Sequence, residues 1–280
     1  MFDTHCHLNF KAFEGRVEEV IDNAKKAGIN SIVVPGTDLE SSKKAVEISE
    51  RFDQVYAAVG IHPHHVFEIQ SNNDSGQAGM TKEMQEIEKL LTHKKVVAIG
   101  EIGLDRHYYN KTKYPDYKID ESFLELQKDF LRKQIELAIK YKKSIIFHNR
   151  EARKDFLETL TDYRSLITDY RCVFHCCEPD QALLEYAIRH KIFIGVDGDI
   201  TYRKDKQEFI KTVPLKMLVL ETDSPLLLPI QLRGDNKRRP ANEPKNLKLI
   251  ADFIAEIIGI KVETLEKITV ENSGKLFKIV

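Results

Sequence analysis

The sequence predicts an α/β protein folded as one (β/α)8 TIM barrel over residues 1–280. Three observations predict it. Short Val- and Ile-rich runs alternate with longer amphipathic stretches along the whole chain, as expected when strands buried on both faces alternate with covering helices. Eight such runs occur, each followed by a segment compatible with a helix. No internal repeat, low-complexity tract or Pro/Ser-rich linker divides them, so a single domain is expected. An open doubly wound sheet accommodates the same alternation, because strand count does not itself prove closure.

In chain order the runs are Met1–Asp3, Ser31–Pro35, Val55–Val59, Val96–Gly100, Ser144–His148, Cys172–His175, Ile192–Val196 and Met217–Leu220. The clearest helix is Glu121 to Tyr141, where Phe123, Leu126, Phe130, Ile135, Leu137 and Ile139 recur mostly three to four apart among charges. Helices are also expected near Gly15–Ala27, Leu39–Arg51, Thr81–Leu91, Ala152–Leu160, Asp180–His190 and Lys245–Ile258. Two polar segments, Ile69–Met80 and Arg106–Asp120, read as loops after strands, where barrels vary most.

At 280 residues and 42% hydrophobic content the chain can bury a substantial core. Forty-three basic against 44 acidic residues give a net charge of -1, which excludes gripping long nucleic acid by bulk charge but leaves a local phosphate pocket open. Cysteines at 6, 172, 176 and 177 form no C-x-x-C pair, so reduced thiols of a cytoplasmic protein are expected. No apolar run approaches the ~20 residues that cross a bilayer. A monomer without membrane contact or organic cofactor is the expectation.

The chemistry concentrates at the ends of the apolar runs. His5 and His7 are one residue apart, so in extended backbone both imidazoles face the same side and can share a cation. Glu101, His148, His175 and Asp223 follow or end four further runs. In a barrel these positions share the catalytic rim, which points to a metal centre of four histidines and two carboxylates. Imidazole with carboxylate suits divalent Zn, Mn, Co or Fe, and carboxylate-rich positions also admit Mg. Glu101 is suited to bridge two cations, and Asp223 to hold a water and take its proton.

The motifs FDTHCHLN (Phe2–Asn9), GIHPH (Gly60–His64), GEIGLD (Gly100–Asp105), FHNREA (Phe147–Ala152), FHC (Phe174–Cys176), LETDSP (Leu220–Pro225) and RRPANEP (Arg238–Pro244) together resemble the TatD family of metal-dependent deoxyribonucleases, in the amidohydrolase-like metal-dependent hydrolase superfamily. The resemblance runs from residue 2 to residue 244. It implies a metallo-dependent hydrolase barrel cleaving DNA phosphodiesters, typically from the 3′ end, with two divalent cations, Mg or Mn in function. Carried over residue by residue, the ligands fall on His5, His7, Glu101, His148, His175 and Asp223, with Asp223 and Glu101 catalytic. His62 and Arg150 fall on positions that face the substrate phosphate in similar proteins. An arginine near a ligand histidine is also a potentially bidentate phosphate donor in its own right.

Two departures stand beside these motifs: Cys-Cys-Glu-Pro follows His175 where relatives carry an aromatic, a small residue and Gly, and Ser144 replaces a usual proline. Tyr108, Tyr109, Tyr114 and Tyr117 in the second polar segment offer stacking surfaces for a frayed strand. Basic groups at Arg203-Lys204 and Lys237-Arg238-Arg239 offer positive potential at the barrel mouth. The same barrel and metals serve a D-aminoacyl-tRNA deacylase or amide hydrolase, or a non-catalytic metal-binding scaffold, since fold alone does not separate these.

Overall fold

The computed structural model describes residues 1–71, 76–114, 116–163, 171–234 and 239–279. Eight parallel strands lie in sequence order: β1 (Phe2–Asp3), β2 (Ser31–Pro35), β3 (Val55–Val59), β4 (Val96–Asp105), β5 (Ser144–Arg150), β6 (Cys172–Phe174), β7 (Phe193–Val196) and β8 (Leu218–Leu220). The seam between β8 and β1 is hydrogen-bonded too. Thr4 N–H donates to Leu220 O at 3.1 Å, Asp223 N–H to His5 O at 2.9 Å, and His7 N–H to Ser224 O at 2.7 Å. These bonds close the sheet and exclude the open alternative.

The barrel interior is filled by one side chain from each strand: Phe2, Val33, Ala58, Ala98, Ile146, Val173, Phe193 and Val219. A second, larger apolar layer packs between the strands and the helices around them. The strands are therefore buried on both faces, which is why they read as continuous apolar runs rather than as alternation.

The helices are α1 (Val17–Lys26), α2 (Leu39–Arg51), α3 (Val66–Ser71), α4 (Gly76–Leu90), α5 (Glu121–Tyr141), α6 (Arg153–Thr161), α7 (Gln181–His190), α8 (Lys204–Ile210), α9 (Leu247–Ile258) and α10 (Val262–Phe277). Acidic caps start several of them. Asp38 accepts from Ser41 N–H at 2.8 Å while Ser41 Oγ accepts from Asp38 N–H at 2.9 Å, a reciprocal capping box on α2. Asp120 accepts from Phe123 N–H at the start of α5, and Asp180 from Ala182 and Leu183 N–H at the start of α7.

Four features differ from the sequence expectation. The polar segment Ile69–Met80 is not a long loop: α3 runs to Ser71 and α4 begins at Gly76, with residues 72–75 outside the described residues. Strand β4 continues past Gly100 to Asp105, so Glu101 lies inside a strand. It sits where three steps of β4, Ile99 to Ile102, oppose two of β5, Ile145 to Phe147; such a bulge re-aims a side chain. β5 likewise continues past His148 to Arg150.

Helix α10 was not expected, because Thr, Val, Asn, Ser and Gly interrupt its apolar spacing. Tertiary contacts hold it instead: Phe277 stacks on Phe2 at 5.8 Å, and Asn272 donates to Leu215 O and Leu218 O at 2.9 and 2.8 Å. The hydroxyl of Ser144 donates to Leu276 O and so helps dock α10.

Candidate metal centre

His5 and His7 leave β1 with their Nε2 atoms 3.1 Å apart and both rings buried. Glu101 reaches toward them from the β4 bulge, its Oε2 lying 3.5 Å from His5 Nε2 and 3.7 Å from His7 Nε2. Asp223 Oδ1 completes this group at 3.7 and 3.4 Å from the same two nitrogens. The other oxygen of Glu101 faces a different set: His148 Nδ1 at 2.7 Å, His62 Nε2 at 3.5 Å and His175 Nε2 at 3.7 Å. All six residues expected to bind metal are thus brought together, and Glu101 stands between two donor groups.

Burial alone would raise the Glu101 carboxyl, but His62, His175, His148 and His5 around it hold it well below the usual carboxylate range. Burial lowers His148, yet hydrogen bonds and charge from Asp105 and Glu101 outweigh it and push the imidazole up to about 9. His175 is lowered by burial and raised more strongly by Glu221, Glu101 and Asp223, to about 10. Buried lone pairs of imidazole and carboxylate converging on so few protons are a donor set that divalent cations fit. Asp223 is held with φ +48°, a left-handed backbone unusual for a non-glycine residue and typical of strained functional positions.

Two histidines of the second group have a carboxylate beside the far nitrogen. His148 Nε2 lies 3.3 Å from Asp105 Oδ2, and His175 Nδ1 lies 3.0 Å from Glu221 Oε1. Carboxylates in these positions fix the tautomer and aim the free nitrogen inward. His62 is set the other way. Its Nδ1 accepts from His64 N–H at 3.1 Å, so the neutral ring carries its proton on Nε2 and presents a donor. Burial and the neighbouring His148 lower His62 well below the ordinary histidine value, which keeps it in that neutral form.

A cavity of about 440 Å³ opens from the centre, lined by His62, Tyr109, Arg150, Arg203, Lys206 and Leu226 among others. The Arg150 guanidinium lies 5.4 Å from the Tyr109 ring centroid and donates to its hydroxyl at 3.2 Å. That hydroxyl in turn donates to Asp105 Oδ2 at 2.7 Å. One hydroxyl therefore connects the cavity's exposed arginine to the carboxylate behind His148.

The family model for TatD related DNase matches residues 2–278. The chain belongs to this family. It is 34% identical over 282 residues to the uncharacterized metal-dependent hydrolase YabD of Bacillus subtilis (strain 168), covering 100% of this chain and 99% of the relative. It is 28% identical over 284 residues to the uncharacterized metal-dependent hydrolase YcfH of Escherichia coli (strain K12), covering 100% of this chain and 96% of the relative. Among solved structures, the TatD homolog YJJV of Escherichia coli K12 superposes with a TM-score of 0.82 at 26% identity, covering 100% of this chain and 98% of the other. The organophosphorus hydrolase of Deinococcus radiodurans shares the fold alone, with a TM-score of 0.64 at 15% identity over 99% of this chain and 92% of its own. The chain is a TatD-family metal-dependent hydrolase.

Several functional groups of this TatD-family site escaped the sequence reading. Glu221 stands two residues before Asp223 and Asp105 four after Glu101, in motifs already singled out. The available signal for Glu221 was its place inside the LETDSP motif, directly after strand β8. Asp3, pushed up to about 8 by burial, accepts from Thr222 N–H and hydroxyl at 3.0 and 2.7 Å and so ties β1 to the β8 loop.

The tyrosines of the second polar segment divide. Tyr114 and Tyr117 are buried against Phe67, and Tyr117 also meets Phe123, so neither offers a free stacking face. Tyr109 lines the cavity, and Tyr108 is 57% exposed. Burial pushes the thiols of Cys172 and Cys177 up to about 12 and raises that of Cys176 well above the ordinary cysteine value, the behaviour of inert thiols. Arg203 lines the cavity but donates to Glu178 and Asp205, while Lys237 and Arg238 lie outside the described residues.

Proposed function

We propose that this protein is a deoxyribonuclease that removes nucleotides from the 3′ ends of single-stranded DNA, with two divalent cations, Mg or Mn, at the centre. The observation that carries this reading is the division of Glu101: one carboxylate oxygen faces His5 and His7, the other faces His148, His62 and His175. Such a carboxylate suits a pair of cations, with His5, His7 and Asp223 holding one and His148 and His175 the other. Bound there, cations supply Lewis acidity toward phosphoryl oxygens and lower the pKa of water.

The protein's own groups do the rest. Asp223 holds the attacking water and takes its proton. The Nε2–H of His62 and the Arg150 guanidinium donate to non-bridging phosphate oxygens, where the arginine's planar fork favours phosphate over a neutral ester. Four free cysteines support a reducing, cytoplasmic location, and the protein acts as a monomer.

The test is incubation of 3′-labelled single-stranded DNA with purified protein and Mg or Mn. Release of labelled mononucleotide by the parent, with Asp223→Asn at least about 100-fold slower, is the expected result. Cleavage by the parent no faster than by Asp223→Asn overturns the reading.

A further inference from the structure

The catalytic cavity continues into a second hollow of about 550 Å³, and the two share Asn149, Arg150 and Glu178. The hollow runs between the start of α6 and the loop before α7. Its carboxylates are already engaged: Glu151 by His107 at 2.6 Å, Glu178 by Arg203 at 2.8 Å and Asp180 by Arg153 at 2.8 Å.

Two cationic residues of the hollow form no ion pair among the described residues. Arg150 leans on Tyr109, and Lys154 is exposed on the first turn of α6. Half-buried Pro179 adds a small apolar surface beside these charges, backed by the buried Leu183 of α7. Unpaired cations leading away from the centre beside an apolar patch match a chain of phosphates and bases, not a compact phosphoester that ends inside the cavity. The near-zero net charge sharpens the argument, because no long-range field holds a strand and local unpaired charge must do so.

Resting on the nuclease reading above, we propose that this hollow is the track for the uncleaved body of a single-stranded polynucleotide, with Arg150 at the phosphate beside the centre and Lys154 at a phosphate further out.

The test compares a long single strand with a dinucleotide too short to reach the hollow, both with Mn. Lys154 is exposed, so its replacement leaves the fold intact. Lys154→Ala raises KM for the long strand about fivefold and flattens its log–log salt dependence by about 0.7, while KM and kcat for the dinucleotide match the parent. Lys154→Arg restores the long-strand values. An unchanged KM on the long strand, or an equal change on both substrates, overturns the track while leaving the nuclease reading standing. A parent protein that cleaves neither substrate overturns both.

Discussion

Glu221 is the group through which the centre can be weakened without touching a ligand. Its side chain is fully buried; Oε1 accepts from Cys176 N–H at 2.6 Å and faces His175 Nδ1 at 3.0 Å, and Oε2 accepts from the Thr4 hydroxyl at 3.3 Å. In Glu221→Gln the amide oxygen keeps the first two contacts. The amide NH2 faces Thr4, whose hydroxyl also donates to Leu220 O at 3.1 Å and so remains free to accept. What disappears is one negative charge behind His175, the carboxylate that does most to raise this imidazole against burial.

Loss of such a partner weakens cation binding by about 10- to 100-fold, which is about 1.4–2.7 kcal/mol. The assay is calorimetric titration of Mn into chelator-stripped protein, with thermal melts of the stripped protein as the control for folding. Gly195→Ala supplies an independent route, since its new Cβ would lie 2.6 Å from Glu221 Oε1 and push the carboxylate off His175 while its charge remains. Affinities within twofold of the parent in both variants, with intact cooperative melts, refute the claim that Glu221 acts through His175.

Two further outcomes follow from the same geometry. Tyr109→Phe keeps the ring under Arg150 but removes the hydroxyl that joins Arg150 to Asp105. On the proposed nuclease activity, KM for DNA should rise about threefold to tenfold, while Mn affinity moves less because Asp105 keeps His107 N–H at 2.7 Å; an unchanged KM in steady-state assays contradicts this. Divalent cation at about 100-fold over Kd should stabilise the fold by about 2.7 kcal/mol, a rise in Tm of about 5 °C or more by scanning calorimetry. In Glu101→Gln that rise should shrink sharply, and a full-sized rise in the variant contradicts the placement of Glu101 between the donor groups.

Much of this protein was legible in its sequence because the barrel repeats a local rule, a doubly buried strand followed by a helix, and five of its strands carry a donor at or near their ends. That rule delivered His5, His7, His148, His175 and Asp223 to one rim before any coordinates. It failed where local pattern and tertiary contact part company. Helix α10 has a poor apolar period and is held by Phe2, Ser144 and strand-end carbonyls that are distant in sequence. Tyr114 and Tyr117 sit in a polar segment yet are buried by helices α3 and α5.

Residue types and their order along the chain determined by themselves the eightfold alternation of strand and helix, the family resemblance and the six candidate donors, since each depends on chemistry and short-range spacing. Tertiary structure decided how those donors divide. Only closure of β8 onto β1 sets Asp223 against His5 and His7, and only the bulge in β4 turns Glu101 so that its two oxygens face different groups. Asp105 and Glu221 likewise reach His148 and His175 from distant positions in the chain, whereas His62 is oriented locally by the His64 N–H two residues on.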